Sequence, residues 1–188
     1  MIRSAMFCLA LCLPAAALAD CPTADAPITK ASYNSGATVE VIGRDGDRIV
    51  YRQTIAETGQ VVEMTVQAGI YTLTALRDGE GAVFDWKAAL PVVADLAPGA
   101  SFHSEATLTT PGFMPPRPFM ADVQVIGEEE VTVAGCTLTT LKVVVKNNEA
   151  GQQLGDNTKW IHIPSLLTVK SEIADHGEVR LQEVTAFD

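Results

Sequence analysis

The sequence predicts an all-β fold: one domain, an antiparallel meander of about ten strands forming a curled sheet, half-barrel or sandwich. Three observations predict it. Apolar and polar residues alternate with period two along most of the chain. Gly and Asp-Gly turn signals separate the alternating runs about every ten residues. No stretch of comparable length carries a helical pattern; the best, Lys87 to Leu96, has Pro91 inside it, where proline costs about 3 kcal/mol in a helix, so it reads as a loop with one turn.

The elements follow in order. Asp20 to Lys30, with Pro22 and Pro27, reads as an extended tail. Thr38 to Gly43 places Val39 and Val41 on one face and Glu40 on the other, and Arg44-Asp45-Gly46-Asp47 turns the chain. Arg48 to Ile55 keeps Ile49, Tyr51 and Ile55 in phase. After a turn at Gly59, Val61 to Ala68 sets Val62, Met64 and Val66 against Glu63, Thr65 and Gln67. Gly69 breaks the run, Ile70 to Leu76 resumes it, Asp78-Gly79-Glu80-Gly81 turns, and Val83 to Trp86 is a short strand. Phe102 to Leu108 is the next.

Pro111 to Met120 carries four prolines and is expected to stay out of any central strand, because proline cannot donate to the ladder. It reads as a covering loop or crossover whose Phe113, Met114, Phe119 and Met120 pack on the core or line a pocket. Strands return at Asp122 to Glu128 and Glu130 to Ala134, flanking a charged turn, and at Thr137 to Lys146, with Leu141, Val143 and Val145 inward. Asn147 to Thr158 reads as a polar hairpin loop. Lys159 to Ile163, Leu166 to Ala174 and Glu178 to Phe187 complete the meander, with Asp175-His176-Gly177 as the last turn.

The start of the chain predicts export. Met1-Ile2-Arg3 is a short positive segment, Met6 to Ala17 is apolar but for Pro14, and Ala17-Leu18-Ala19 is a small-x-small site before Asp20. That is a secretory signal peptide over 1–19, leaving residues 20–188 as a single β domain, periplasmic or secreted. The apolar run falls short of the roughly 20 residues that cross a bilayer. A lipidated cysteine follows a small residue, whereas Cys12 follows Leu11 and Cys21 follows Asp20, so the lipoprotein alternative ranks second. Cys8 and Cys12 leave with the leader; Cys21 and Cys136 remain, an even pair expected to form a structural disulfide in an oxidising compartment. Closing so long a loop stabilises a fold by up to ~4–5 kcal/mol in the chain-entropy model. The formal charge of -10, from 13 Lys+Arg against 23 Asp+Glu, repels phosphate backbones, and no basic cluster marks a nucleic-acid site.

The late segment Val133-Ala134-Gly135-Cys136-Thr137-Leu138-Thr139-Thr140-Leu141-Lys142-Val143, followed by Trp160-Ile161 and Leu167-Thr168-Val169-Lys170-Ser171-Glu172, resembles the TapB-like group of periplasmic β-proteins of unknown function. The resemblance covers roughly residues 121 to 187. It departs from the group's pattern at Ser165-Leu166-Leu167 and in having Trp160 where an aromatic pair is usual. It implies a partly open barrel akin in shape to the LolA/LolB lipoprotein carriers and an envelope location, and transfers no catalytic residue.

Candidate chemistry is sparse. His103, His162 and His176 show no HExxH or HxH spacing, and a metal site needs three or four converging ligands, so each reads as a structural or surface histidine. Met64, Met114 and Met120 suit Cu(I) as thioethers, but without a cluster they read as core filler. Glu128-Glu129-Glu130 reads as a solvated turn. No GxSxG or Ser-x-x-Lys nucleophile motif occurs, and the Gly-rich turns precede no helix that could cradle a phosphate. No catalytic residue, metal or cofactor is therefore expected. The function expected first is a non-catalytic binding or carrier module for an apolar small molecule, a lipid or a partner's segment, lined by Phe113, Met114, Phe119, Met120 and Trp160. The alternative is a scaffold pairing through an exposed strand edge, and the third reading is an enzyme of unknown class.

Overall fold

The computed structural model describes residues 21–175 and 177–188; the predicted leader and His176 lie outside the described residues. Twelve strands follow one another: β1 (Lys30–Tyr33), β2 (Thr38–Asp45), β3 (Arg48–Thr54), β4 (Val61–Gln67), β5 (Tyr71–Arg77), β6 (Glu80–Trp86), β7 (Ser101–Thr110), β8 (Met114–Val133), β9 (Cys136–Glu149), β10 (Gln152–His162), β11 (Leu167–Asp175) and β12 (Glu178–Phe187). Each pairs antiparallel with its sequence neighbours, and β1 pairs with β12 through Ala31 opposite Phe187. The all-β meander is therefore a closed barrel, not a half-barrel or sandwich. Closure pairs the backbone groups that an edge strand would leave open, and with them goes the long free edge that pairing with a partner strand requires.

Four local expectations change. Lys30–Tyr33, which begins at the last residue of the expected Asp20–Lys30 tail and lies in no expected strand, is the strand that closes the barrel. The Pro-rich segment is not a crossover: β8 begins at Met114 and pairs with β7 through Thr107 opposite Pro118. Proline is tolerated because β9 joins β8 only from Phe119 onward, so residues 114–118 form a local edge. The Glu128–Glu130 turn is likewise strand, continuous through a bulge between Val125 and Gly127 that kinks β8. In the predicted 147–158 loop only a tight turn after Glu149 is not strand. The Lys87–Leu96 loop does carry a single turn of 3-10 helix, Val93–Asp95.

One end of the barrel is closed. The β4–β5 turn at Ala68–Ile70, the β10–β11 turn at Ile163–Leu166 and the long β6–β7 connection meet there. The Asp47 side chain accepts the Val93 N–H at 2.7 Å, and Leu96 is buried. The β8–β9 hairpin overshoots this end, and β8 reaches β12. Its tip residues Val131, Val133, Cys136 and Leu138 join a buried cluster with Ile28, Val169, Val184 and Phe187. Cys21 and Cys136, 115 residues apart, are joined in a disulfide that ties the N-terminal segment to this tip.

Candidate functional site

A barrel of about eight strands is just wide enough for side chains to fill, and wider barrels leave space. The twelve-strand lumen meets this constraint differently on its two sides. Between β5 and β9 it is packed solid. Phe84 and Phe119 meet edge to face at 4.9 Å between centroids, Trp86 stacks on Phe84 at 6.3 Å, and Tyr71 meets Trp86 edge-on at 5.4 Å. The Trp86 indole N–H donates to the Thr72 carbonyl at 3.0 Å. Val123, Val125, Val143 and Ile161, all nearly inaccessible, complete this packing.

On the other side, walled by β1–β5 and β10–β12, a cavity of about 200 Å³ remains. Its floor is Ile70, Leu166 and Leu167, all buried. Its residues farther along the strands, Gln53, Ile173 and Gln182, are half-buried, so it opens away from the plugged end. Val39, Met64 and Val66 give it apolar lining and Tyr33, Tyr51, Asn157, Lys159, Thr168 and Ser171 polar lining, with Tyr51 directly opposite Met64 in the β3–β4 pair. Gly69 stands at the floor with φ +70°, where a Cβ would come within 2.8 Å of Ile161 and of the Leu166 carbonyl oxygen. The residue type thus follows from the tight approach of two turns.

Lys159 sets the electrostatics of this cavity. It lies opposite Val143 on β9 and Ser171 on β11, in phase with Asn157 and Ile161, and so points inward. Burial lowers its ammonium to about 8, because a low-dielectric surrounding disfavours the charged form. Burial pushes the Tyr51 phenol up to about 12, and raises the Tyr33 phenol further, with the nearby Tyr51 adding to the effect. The Tyr33 hydroxyl donates to the Thr168 carbonyl at 2.8 Å. The Asn157 Oδ1 is buried and accepts no hydrogen bond from the described residues.

The five residues expected to line a ligand site lie apart. Phe113 and Met114 are exposed at the β7–β8 turn, where Phe113 faces Leu76 and Gly79–Gly81 across a surface hollow. Phe119 is buried in the packed half of the lumen. Met120 is half-buried opposite Glu105, on the outward phase of β8. Trp160 is buried on the face opposite Lys159, its ring between the Lys142 and Lys170 ammoniums at 4.8 and 4.6 Å. Lys142 also pairs with Glu129 at 2.9 Å, which holds that carboxyl below its usual range.

The histidines sort as structure and surface. His162 is buried, its Nδ1 3.0 Å from the Ser165 hydroxyl, which itself donates to the His162 carbonyl. These bonds brace the β10–β11 turn, and burial lowers the imidazole's pKa. His103 is exposed on the outer surface, 2.7 Å from Asp122, which raises its pKa. Among the described residues no three His, Cys, Asp or Glu side chains converge as metal ligands. No helix of the described residues is long and apolar enough to cross a membrane.

Sequence reasoning passed over Lys159 and Asn157. The available signal was the phase of β10, which puts a lysine on the same face as Ile161.

No family model matches the chain. No curated protein matches it. Among solved structures it is similar to the hypothetical lipoprotein YmcC from Escherichia coli (K12), with a TM-score of 0.51 and 11% sequence identity over 85% of this chain and 84% of that one. At that identity the likeness is one of fold. The resemblance read in residues 121–187 is accordingly supported only as a distant likeness of fold to that lipoprotein, and not as membership of the TapB-like group or kinship with LolA/LolB.

Proposed function

We propose that this protein is a non-catalytic binding or carrier module of the cell envelope that holds a small molecule inside its barrel. The observation that carries this reading is the cavity beside Lys159: a barrel packed solid on one side keeps a chemically mixed pocket on the other. Such a pocket, apolar with a few convergent polar groups, is the usual form of a small-molecule site. The Cys21–Cys136 disulfide fits an oxidising compartment, hence the periplasm or exterior. The volume argues against a whole lipid: pockets for drug-sized ligands measure roughly 300–1,000 Å³, so the ligand is smaller and reaches the polar groups. In this reading ligand contact passes from Phe113, Met114, Phe119, Met120 and Trp160 to the lumenal residues, with Phe113 and Met114 left as exposed apolar groups for a partner.

Native mass spectrometry of the disulfide-bonded protein, with a denatured control, tests the reading. The expected result is a small adduct lost on denaturation and absent from Met64→Trp, which fills the pocket. An adduct that survives Met64→Trp places the ligand elsewhere and defeats the reading.

A further inference from the structure

We infer that the lumenal pocket is a site for a small monocarboxylate, with the carboxylate on the Lys159 ammonium and the apolar remainder against Val39, Met64 and Val66. This rests on the reading of the barrel as a small-molecule binder and adds the chemical class of the ligand.

Four observations carry it. First, Lys159 is the one charged side chain among the described residues of the pocket wall. The titratable groups that face it from the other strands are the phenols of Tyr33 on β1 and Tyr51 on β3, both held neutral by burial. Among the described residues lining the pocket, β2, β4, β5, β11 and β12 contribute only uncharged side chains. Lys159 is half-buried, in surroundings that lower its ammonium to about 8; a cation so placed without a counter-charge is costly, and a ligand anion supplies the missing partner.

Second, the remaining polar groups can serve a carboxylate's other oxygen. Tyr51, Gln53 and Ser171 bring hydroxyl or amide donors to the same pocket, while the Gln182 amide already donates to the Ser35 hydroxyl oxygen at 3.2 Å. The Tyr33 hydroxyl is already committed to Thr168. Third, a single cation matches a single negative charge; a dianion would leave one charge buried and unpaired, and the protein's net charge of -10 repels polyanions before they arrive. Fourth, about 200 Å³ exceeds the ~150 Å³ cavity that accommodates benzene. A ring-sized or short branched acid fits, and a long acyl chain does not.

Benzoate, with neutral benzamide and cationic benzylamine as controls, tests the assignment by calorimetric titration of the full disulfide-bonded protein. Chemical shifts of the Met64 methyl and the Tyr51 ring locate the binding. Benzoate is expected to bind more tightly than benzamide, and benzylamine not at all. If only protonated Lys159 is competent, apparent benzoate affinity falls about a hundredfold between pH 7 and pH 10, while that of benzamide stays level. Lys159→Met is expected to abolish the preference for benzoate and keep benzamide binding, which also shows that the variant is folded. Equal binding of benzoate and benzamide at the Met64 and Tyr51 probes, unchanged by Lys159→Met, overturns the carboxylate assignment while leaving a lumenal binder. Shifts at those probes for none of the three compounds overturn both.

Discussion

The two sides of the lumen share one sheet yet solve the same geometric problem in opposite ways. Between β5 and β9, interlocked aromatic rings fill the space, and the residues behind them are almost inaccessible. Between β10 and β5, across the β1–β12 seam, residues of similar phase include Asn157, Lys159 and Ser171, and a cavity persists. The difference teaches that closure of a wide barrel does not by itself require a full interior. One side holds the fold, and the other is free to carry polar groups that a core would reject.

The sharpest way to break this comparison is to hollow the packed side. Phe119→Ala removes a ring that touches both Phe84 and Trp86, and loss of a buried aromatic costs about 3–5 kcal/mol. Chemical denaturation should show that loss. A cost below about 1 kcal/mol would mean that the packed side does not hold the fold. Next in size, Cys21→Ser with Cys136→Ser removes a crosslink spanning 115 residues, with an expected cost of about 2–4 kcal/mol. Because the crosslinked tip shares its buried cluster with Tyr33, Val39 and Leu166, amide exchange should accelerate at the β8–β9 tip and in β10–β12 and β1–β2 before β6 and β7. Uniform acceleration would show that the disulfide braces both sides alike.

Smaller again is Gly69→Ala. Its Cβ would press on Ile161, which belongs to the packed side, and on Leu166, which floors the open one. The positive φ and the close contact together predict a loss of about 1–3 kcal/mol. An unchanged midpoint in denaturant would show that the floor can yield, and that the cavity's shape is softer than its buried walls suggest.

The sequence made the class of fold legible because alternation and Asp-Gly turns act locally. Val39, Met64, Val66, Val143 and Val145 all sit inward as their phase predicts. Strand count and closure were not legible, because Lys30–Tyr33 is too short to announce itself and is made a strand by pairing with residues 38–40 and 184–187. Proline misled at 115–118 because tolerance there depends on where β9 ends, a fact of register rather than of composition. The Cys21–Cys136 pairing was legible from compartment and parity alone. The candidate site was not, because exposed-looking aromatic and Met residues drew attention to the β7–β8 turn. A lone lysine in an inward phase is a weak signal until the opposite wall is known to lack acidic groups.

That lysine supports the smallest and most discriminating test of the comparison. Lys159 titrates near 8 in the folded protein against 10.5 when unfolded. Below pH 8 both states carry the charge, and the folded one bears the full cost of burying it. As pH rises from 8 the folded state releases its proton first while the unfolded state keeps one, so the unfolding free energy climbs. Tyr51, at about 12 when folded against 10 when unfolded, and Tyr33, raised further, act in the opposite sense above pH 10, which confines the lysine's signature to pH 8–10. There the gain is about 1–2 kcal/mol, allowing for partial solvent screening within the cavity. Lys159→Met should be more stable than the parent at pH 7 and flat between pH 8 and 10, as expected when an unpaired buried charge gives way to an apolar side chain of similar length. A parent protein that is itself flat across that interval would mean that Lys159 reaches water, and that the open side of the barrel is a solvent channel rather than a pocket.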